Sequence, residues 1–339
     1  RSKAILTAVD ELSSGDILIV AGKGHESYQE YKKKFFFSDK FEIIKAINKK
    51  NLSLSKSIKT NILREILNQN KIDKKEYINS ASINSKKIGK NSIFIGVKGK
   101  KFDGNLYADD AIKNGAVLAV SNKKHKKSKI IFQKKPLHFF NSISLLFRKS
   151  LDANNIAITG SAGKTSVKEL TGFCLNKLSK TFISKKSYNN KYGVPLTLFN
   201  APQTTKFKVL EVGMDKKGEI NYLTKLIRPN LGLITNISYA HIENFNNLNQ
   251  IAQAKGEIIN NILPNGTMVL NMDDKYYRYF FKRAKNCKLK IISFSKNNQN
   301  ANVFFLNKIK NKKKYLINLL INNKKKSFVI SKELSNYIE

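Results

Sequence analysis

The sequence predicts an α/β fold in two parts: a small N-terminal α/β domain, then a larger domain built on a mostly parallel sheet. Three observations carry this. Apolar runs short enough for buried strands recur at 156–159, 209–212, 231–237, 268–271 and 291–294, with helical spacing in several of the intervals. That alternation is what parallel strands joined by crossover helices produce. The run at 156–159 passes directly into a glycine-rich loop and then a helical stretch. Shorter runs at 92–97, 116–120 and 130–132, separated by Gly and Asp turns and a helix predicted over 107–114, mark out the small domain.

In chain order, residues 1–47 hold an apolar run at 17–21, the glycine loop Gly22-Lys23-Gly24-His25-Glu26, and an amphipathic stretch after Phe37-Ser38-Asp39. They read as a strand, a loop and a helix. Residues 48–76 are polar and rich in Lys and Asn, with helical spacing at Ile58, Ile62, Leu63, Ile66 and Leu67. This suits a linker or the first helix of the next domain and sets a boundary near residue 50. The small domain is expected over 77–141 and the larger one over 142–330, opening with a helix at 142–149. Short strand-like pieces at 303–306, 315–321 and 327–330 read as the edge of the larger domain, and the lysine runs at 123–129 and 308–314 as solvated loops. Residues 331–339 would begin the link to a further domain.

The 339 residues are 41% hydrophobic and 26% charged, enough apolar material for packed domains and incompatible with a wholly disordered chain. Lys and Arg total 63 against 24 acidic residues, a formal charge of +39. Such a balance raises nucleic acid or an anionic surface as a partner. Only six of these cations are Arg, however, and the Lys excess travels with Asn, Ile and Phe, as an AT-rich coding sequence would produce. No specific nucleic-acid partner is expected. Cys174 and Cys287 make neither a disulfide framework nor a CxxC pair, and Cys174 falls in a predicted helix as a small buried hydrophobe. No apolar run is long enough for a membrane span and no signal-peptide pattern opens the chain, so a cytoplasmic monomer is expected. The methionines are Met214, Met268 and Met272, and none precedes them, which suggests an internal piece of a longer product.

The residues richest in chemistry are Thr159-Gly160-Ser161-Ala162-Gly163-Lys164-Thr165-Ser166, between a strand and a helix. Glycines let backbone N–H groups approach phosphate oxygens, and the following helix presents its positive end. In such a P-loop, Lys164 can reach the β- and γ-phosphates and Thr165 can ligate Mg2+. The spacing departs from the general pattern, because the position five before Gly163 is Ile158. Downstream, Glu211 ends one predicted strand and His241 follows another. Ligands of a parallel sheet gather at the carboxyl ends of its strands, so Thr165, Glu211 and His241 can converge on one hard cation.

Together with Asn189-Asn190-Lys191-Tyr192-Gly193-Val194-Pro195, Leu210-Glu211-Val212-Gly213-Met214, Gly218-Glu219-Ile220, Ala240-His241, Ala254-Lys255-Gly256-Glu257 and Leu270-Asn271 with Asp273-Asp274, this series resembles the ATP-dependent Mur ligases over roughly residues 77–330. The resemblance is strongest to the members that add D-alanyl-D-alanine. It implies ATP at Gly160, Ser161, Ala162, Gly163, Lys164, Thr165 and Ser166, with Asn271 and Asp274 at the adenosine. It also implies Mg2+ at Thr165, Glu211 and His241, and at Lys255, a lysine that several members carbamylate. Lys164, Lys255 and His241 would be the catalytic set. Asn190 would position nucleotide or substrate. In the small domain, Ile93-Phe94-Ile95-Gly96-Val97-Lys98-Gly99 and Phe102-Asp103-Gly104 resemble the family's nucleotide-sugar-binding stretch. There Asn84-Ser85-Lys86 stands for the usual Asp-Ser-Arg, and Ser187 stands where Asn is common.

The implied reaction is amide formation between UDP-MurNAc-tripeptide and D-Ala-D-Ala through an acyl phosphate. Residues 1–47, with Gly22 and Glu26 in the amino-acid loop, resemble instead the end of the family ligase that adds the third stem residue. A natural fusion of the two ligases is therefore expected, with the C-terminal Rossmann-like domain of the second missing from this chain. The alternatives are another amide ligase of the superfamily, of the folylpolyglutamate or cyanophycin type, a basic nucleic-acid-binding protein with an ATPase core, and a non-catalytic remnant.

Overall fold

A computed structural model describes residues 1–12, 16–22, 28–30, 34–68, 71–99, 102–239, 244–311 and 314–331. The chain divides into two compact units, residues 1–133 with 202–204, and residues 134–201 with 205–339. The division falls at 133/134, eight residues before the expected 141/142, because the helix expected at 142–149 begins earlier, at a proline.

In the first unit, α1 (Ser2–Glu11) buries Ile5 and Val9 on one face. A hairpin of β1 (Tyr28–Glu30) and β2 (Lys34–Phe36) precedes α2 (Asp39–Ile66), whose Ala46 packs on that face. Ser38 caps α2 through its hydroxyl, which accepts from the N–H of Phe41. The Arg1 guanidinium grips Asp39 with two bonds, Nε to Oδ1 at 2.7 Å and Nη2 to Oδ2 at 2.5 Å. The expected strand at 17–21 has no ladder among the described residues. Leu18 and Val20 pack toward Ile5 and Val9 while Ile17 and Ile19 face solvent, so the period of two is real although no described strand pairs with it. Helix α2 runs unbroken through 47/48, where a boundary is expected, and includes the polar stretch up to Ile66.

The same unit carries a four-stranded parallel sheet in the order β3 (Ser80–Ser82), β4 (Ser92–Ile95), β5 (Ala116–Ser121), β6 (Ile130–Phe132). Every residue of β4 and β5 is buried, as strands covered on both faces require. Helix α3 (Ala108–Lys113) lays Ala108 and Ala111 against Phe94 and Ala119. In the lysine run 123–129, Lys127 and Lys129 form ion pairs with Asp109 and Glu76 rather than projecting freely.

The second unit opens with α4 (Pro136–Lys149), its proline in the first helical turn, where a missing N–H costs nothing. There follow β7 (Asn154–Thr159), α5 (Lys164–Asn176), β8 (Thr181–Ile183), α6 (Gly193–Asn200), β9 (Phe207–Glu211), α7 (Glu219–Ile227) and β10 (Leu231–Ile234). The rest comprises α8 (Leu248–Lys255), β11 (Thr267–Asn271), α9 (Tyr277–Asn286), β12 (Lys290–Ser295), β13 (Val303–Asn311), β14 (Lys314–Ile321) and β15 (Lys324–Ser331). They form one nine-stranded sheet in the order β15-β14-β13-β12-β11-β10-β7-β9-β8, parallel from β8 to β13 and antiparallel beyond.

Alternate residues of β7 and β9 serve opposite faces. Ala157 and Leu210 join Val194, Leu198, Leu223 and Ile227 on one side. Ile156, Ile158 and Val209 meet Val167 and Leu175 of α5 on the other. Each such buried aliphatic side chain contributes about 1.5–3 kcal/mol, so this region is the stable centre of the unit.

Three expectations are corrected here. The strand expected at 231–237 stops at Ile234, because residues 235–238 turn to bond the glycine loop. Lys308, Lys310 and Lys314 lie in the paired strands β13 and β14, not in a solvated loop. Cys174, expected to be buried, is exposed on α5, because the face of that helix that meets the sheet carries Val167, Lys168 and Gly172. Among the described residues no helix is long and apolar enough to cross a membrane.

Candidate active site

Strand β7 lies between β10 and β9, and the connection leaving it runs through α5 to β8, while β9 connects back across to β10. The strand order therefore reverses at the end of β7, the place where open parallel sheets form a ligand crevice. Residues 160–163 occupy that point. Gly160 has φ +147°, and a Cβ there would stand 1.9 Å from Thr235 Oγ1. Gly163 has φ +77° with open space around it, so its requirement is conformational only.

The loop is bonded throughout to the segment after β10. Thr235 Oγ1 donates to Ala162 O at 2.6 Å, and the N–H of Ala162 donates to Asn236 Oδ1 at 3.0 Å. Ser161 donates from its backbone to Asn236 O and exchanges two 2.9 Å bonds with Ser238 through its hydroxyl. Ser166 sits in the first turn of α5.

Lys164 folds over the loop, its ammonium donating to Gly160 O at 2.8 Å and Ser161 O at 3.1 Å. Burial lowers its pKa, and the nearby Glu211 carboxylate opposes that shift. Thr165 Oγ1 donates to Glu211 Oε2 at 2.7 Å, and Asn189 Nδ2 donates to Oε1 at 2.9 Å. Glu211 is the last residue of β9 and is buried. Lys255, the last residue of α8, is only 2% exposed and donates to the same Gly160 carbonyl at 2.9 Å. Burial first, and then the Lys164 charge, brings its pKa down to about 7.

Sequence and structure thus agree in bringing Gly160, Ser161, Ala162, Gly163, Lys164, Thr165, Glu211 and Lys255 together. Asn271 ends β11 on the same side of the sheet, with its amide 3.4 Å from Thr235 O. Asp274 is differently employed. Its two oxygens accept backbone N–H bonds from Ile237 at 2.7 Å and Tyr276 at 2.8 Å, so it fastens the 235–238 segment. Asn190 precedes α6, its Oδ1 accepting from the backbone N–H groups of Tyr192 and Gly193, and it is the neighbouring Asn189 that reaches Glu211. His241 lies outside the described residues, as does Glu26.

In the other unit, Gly22 has φ +118° beside the Arg1 guanidinium, which also donates to Ala21 O. Asn84 caps a 3-10 turn, Ser85–Lys87, by accepting from the Lys86 N–H, and Ser85 is buried with its carbonyl bonded by Asn114. An Asn fills that capping role as well as an Asp.

Sequence reasoning missed Asn189, Ser184, Lys168, Thr235 and Asn236. The Asn-Asn pair and the Thr-Asn-Ile-Ser run were visible, but the choice between adjacent asparagines turns on the path of the 184–190 segment, which no periodicity reveals.

Among the described residues no three His, Cys, Asp or Glu side chains converge on a metal position. What the crevice offers is a carboxylate, a hydroxyl, two lysines and the N-terminus of α5, the Ser161 and Ala162 N–H groups being bonded to Asn236.

The family model described as Mur ligase middle domain matches residues 158–334, over half of the 339 residues. The chain belongs to the Mur ligase family. A second model, Mur ligase family, catalytic domain, matches residues 77–144. This Mur ligase is 36% identical over 234 residues to the UDP-N-acetylmuramoyl-tripeptide--D-alanyl-D-alanine ligase of Buchnera aphidicola subsp. Acyrthosiphon pisum, covering 69% of this chain and 51% of the relative. The Escherichia coli K12 enzyme of the same name is 33% identical over 198 residues, covering 58% and 44%. The chain spans about half the length of the curated relatives it matches. Its fold matches a crystal structure of MurF from Acinetobacter baumannii with TM-score 0.69 and 25% identity, covering 78% of this chain and 58% of that one. It also matches MurF from Thermotoga maritima, solved with ADP, with TM-score 0.67 and 24% identity, covering 74% and 58%.

Proposed function

We propose that this Mur ligase is the nucleotide-binding and substrate-binding part of an ATP-dependent enzyme that joins D-Ala-D-Ala to UDP-MurNAc-tripeptide. The observation that carries the reading is the 36% identity over 234 residues to a ligase of that name, beside a Mur ligase middle-domain match over residues 158–334, which hold the glycine loop, Glu211 and Lys255. In this reading the α5 N-terminus holds the ATP phosphates, and Lys164 turns from the loop carbonyls to the transferred phosphoryl group. The tripeptide carboxylate attacks that group, ADP leaves, and the amine of D-Ala-D-Ala displaces phosphate from the acyl phosphate. The protein contributes chiefly by holding anionic reactants together in a crevice lined with cations. The UDP-sugar is assigned to the small unit, around Asn84, Ser85 and Lys86.

The donors at the crevice suit Mg2+, a hard cation that takes oxygen ligands: the Glu211 carboxylate and the Thr165 hydroxyl are already adjacent. His241 would complete the set. Bound there, Mg2+ would neutralise charge between the phosphates and the incoming carboxylate. Lys255 suits carbamylation, because a pKa of about 7 leaves much of it as the neutral amine at neutral pH. That amine adds to CO2 with release of a proton and becomes an anionic oxygen donor beside Gly160.

Residues 1–47 are read as the end of a second family ligase, fused ahead of this one, on the strength of the glycine loop at 22–26 and Phe37-Ser38-Asp39. The size of the native product, detected in cell extract with an antibody to this chain, tests the fusion; a product no longer than one family ligase excludes it. For the reaction, ADP release by the complete gene product is measured with Mg-ATP, UDP-MurNAc-tripeptide and D-Ala-D-Ala, each omitted in turn. Release that needs all three supports the reading, and release indifferent to either peptide overturns it. Lys164→Ala is expected to lower ligation by orders of magnitude without unfolding the chain.

A further inference from the structure

Lys168 lies on α5 one turn beyond Lys164 and Thr165 and is wholly buried. Its ammonium donates to the carbonyl of Ser184 at 2.7 Å and pairs with Glu169 at 2.9 Å, whose own side chain is largely in solvent. One turn further along α5, Gly172 brings the helix so close to β8 that a Cβ would stand 2.2 Å from Ile183 Cδ1. The helix is therefore locked onto the end of β8 at two successive turns.

Ser184 is the residue at which β8 gives way to the 184–190 segment. It continues the sheet ladder by donating its N–H to Val209 O at 2.9 Å, and its hydroxyl accepts from the N–H of Glu211 at 3.2 Å. The same segment returns to Glu211 five residues later, where Asn189 donates to Oε1, and the Asn189 carbonyl accepts from the N–H of Gly213 at 2.8 Å. Glu211 is thus held by Thr165 on α5 and by Ser184 and Asn189 on a segment that α5 itself anchors.

A buried ammonium is a costly way to fill space, since an apolar chain of the same length would do so without desolvating a charge. Beside its ion pair with the solvent-facing Glu169, what the ammonium supplies is a directional bond to the Ser184 carbonyl. We infer that Lys168 is a positioning residue: by fixing Ser184 it sets the geometry of the Glu211 carboxylate, without itself touching nucleotide or metal. This rests on the reading above of Glu211 as a Mg2+ ligand.

The test is ADP binding to the full chain, measured calorimetrically in Mg2+ and in EDTA, with thermal melting of each variant. Wild type is expected to bind ADP more tightly in Mg2+, and Glu211→Gln to lose that gain. Lys168→Met is expected to lose about tenfold of the gain, the scale of one charge-assisted bond, while ADP affinity in EDTA stays as in wild type. Lys168→Gln, which keeps a donor, should recover part of it. If wild type shows no gain, or Glu211→Gln retains it, the Mg2+ reading fails and the inference falls with it. If those two behave as expected but Lys168→Met keeps the full gain, or weakens ADP equally in Mg2+ and EDTA, the positioning role alone is overturned. Should Lys168→Met fail to fold, Ser184→Ala decides, because it cuts the bond to Glu211 and leaves the Ser184 carbonyl in place. An unchanged gain in that variant overturns the inference.

Discussion

Lys164 and Lys255 share one acceptor: their ammonium nitrogens lie 2.8 and 2.9 Å from the carbonyl oxygen of Gly160. One carbonyl dipole thus lies between two lysine side chains at the turn of the glycine loop. The arrangement is asymmetric, since Lys255 is the more deeply buried of the two and its pKa falls to about 7. Near neutrality Lys255 therefore begins to give up its proton.

That asymmetry has a signature in stability. The folded pKa of Lys255 lies below its unfolded value of about 10.4, so between these limits the unfolded chain binds more protons and stability climbs with pH. Below pH 7 both states are protonated and the cost of burial is constant. In CO2-free buffer, the stability difference between wild type and Lys255→Met should shift in favour of wild type from pH 7 to 10, by on the order of 2–4 kcal/mol. Urea denaturation at a series of pH values measures it, and a difference that does not change with pH would contradict the assignment.

A second buried lysine makes the opposite kind of case. Lys208 on β9 is fully buried, and its Nζ has no hydrogen-bond partner among the described residues, nor do Arg148 Nε and Asn155 Oδ1. Burial, with a contribution from Arg148, brings the Lys208 pKa down to about 8. Nothing repays the desolvated charge, so Lys208→Met is expected to stabilise the chain at pH 7 by about 1–3 kcal/mol. The gain should shrink as pH rises through 8 toward 10, because wild type sheds the charge. Thermal melting at pH 7 and pH 9.5 tests both parts.

The two loop glycines separate steric from conformational need. Gly160→Ala places a methyl on Thr235 Oγ1, which itself bonds Ala162 O, and the backbone there cannot shift without breaking that bond. Gly163→Ala meets open space and carries only the cost of a left-handed residue, about 1 kcal/mol. Gly160→Ala should therefore cost several times more stability than Gly163→Ala, by urea denaturation of the two variants side by side. Equal costs would mean that the Thr235 contact does not constrain the loop.

The contrast between those glycines also shows what was legible in the sequence. Glycine, lysine and threonine at fixed offsets after an apolar run specify a local object, a strand, loop and helix, and the structure holds it as read. Glu211 was legible for the same reason, because it closes an apolar run. What stayed hidden is set by contacts between segments far apart in the chain. The run at 17–21 alternates like a strand but has no partner strand among the described residues, and the 231–237 run ends early because Thr235, Asn236 and Ser238 are bonded 73 to 77 positions away. Lys168 reads as an ordinary helical lysine until β8 is packed against it. Composition misled at the lysine-rich 308–314 stretch, where the backbone of β13 continues its ladder with β14 through Lys308, Ile309 and Lys310 even though Ile309 stays exposed.

Asp274 carries the sharpest disagreement between the two readings. The family resemblance assigns it to the adenosine, whereas both its oxygens bond backbone N–H groups, of Ile237 and Tyr276. Through Ile237 it steadies residues 235–238, and these in turn hold Ser161 and Ala162. An anchor of this kind would act through the glycine loop, which the proposed function gives to the phosphates, rather than on the base. Asp274→Ala leaves two N–H groups without acceptors, which should destabilise the second unit by about 1–3 kcal/mol. It should also weaken inorganic tripolyphosphate and ADP by similar factors, since the loop they share is loosened. A direct adenosine contact has the contrary consequence: ADP would weaken while tripolyphosphate binding stayed unchanged. Parallel titrations of the two ligands against wild type and Asp274→Ala distinguish them, and selective loss of ADP would return Asp274 to the adenosine site.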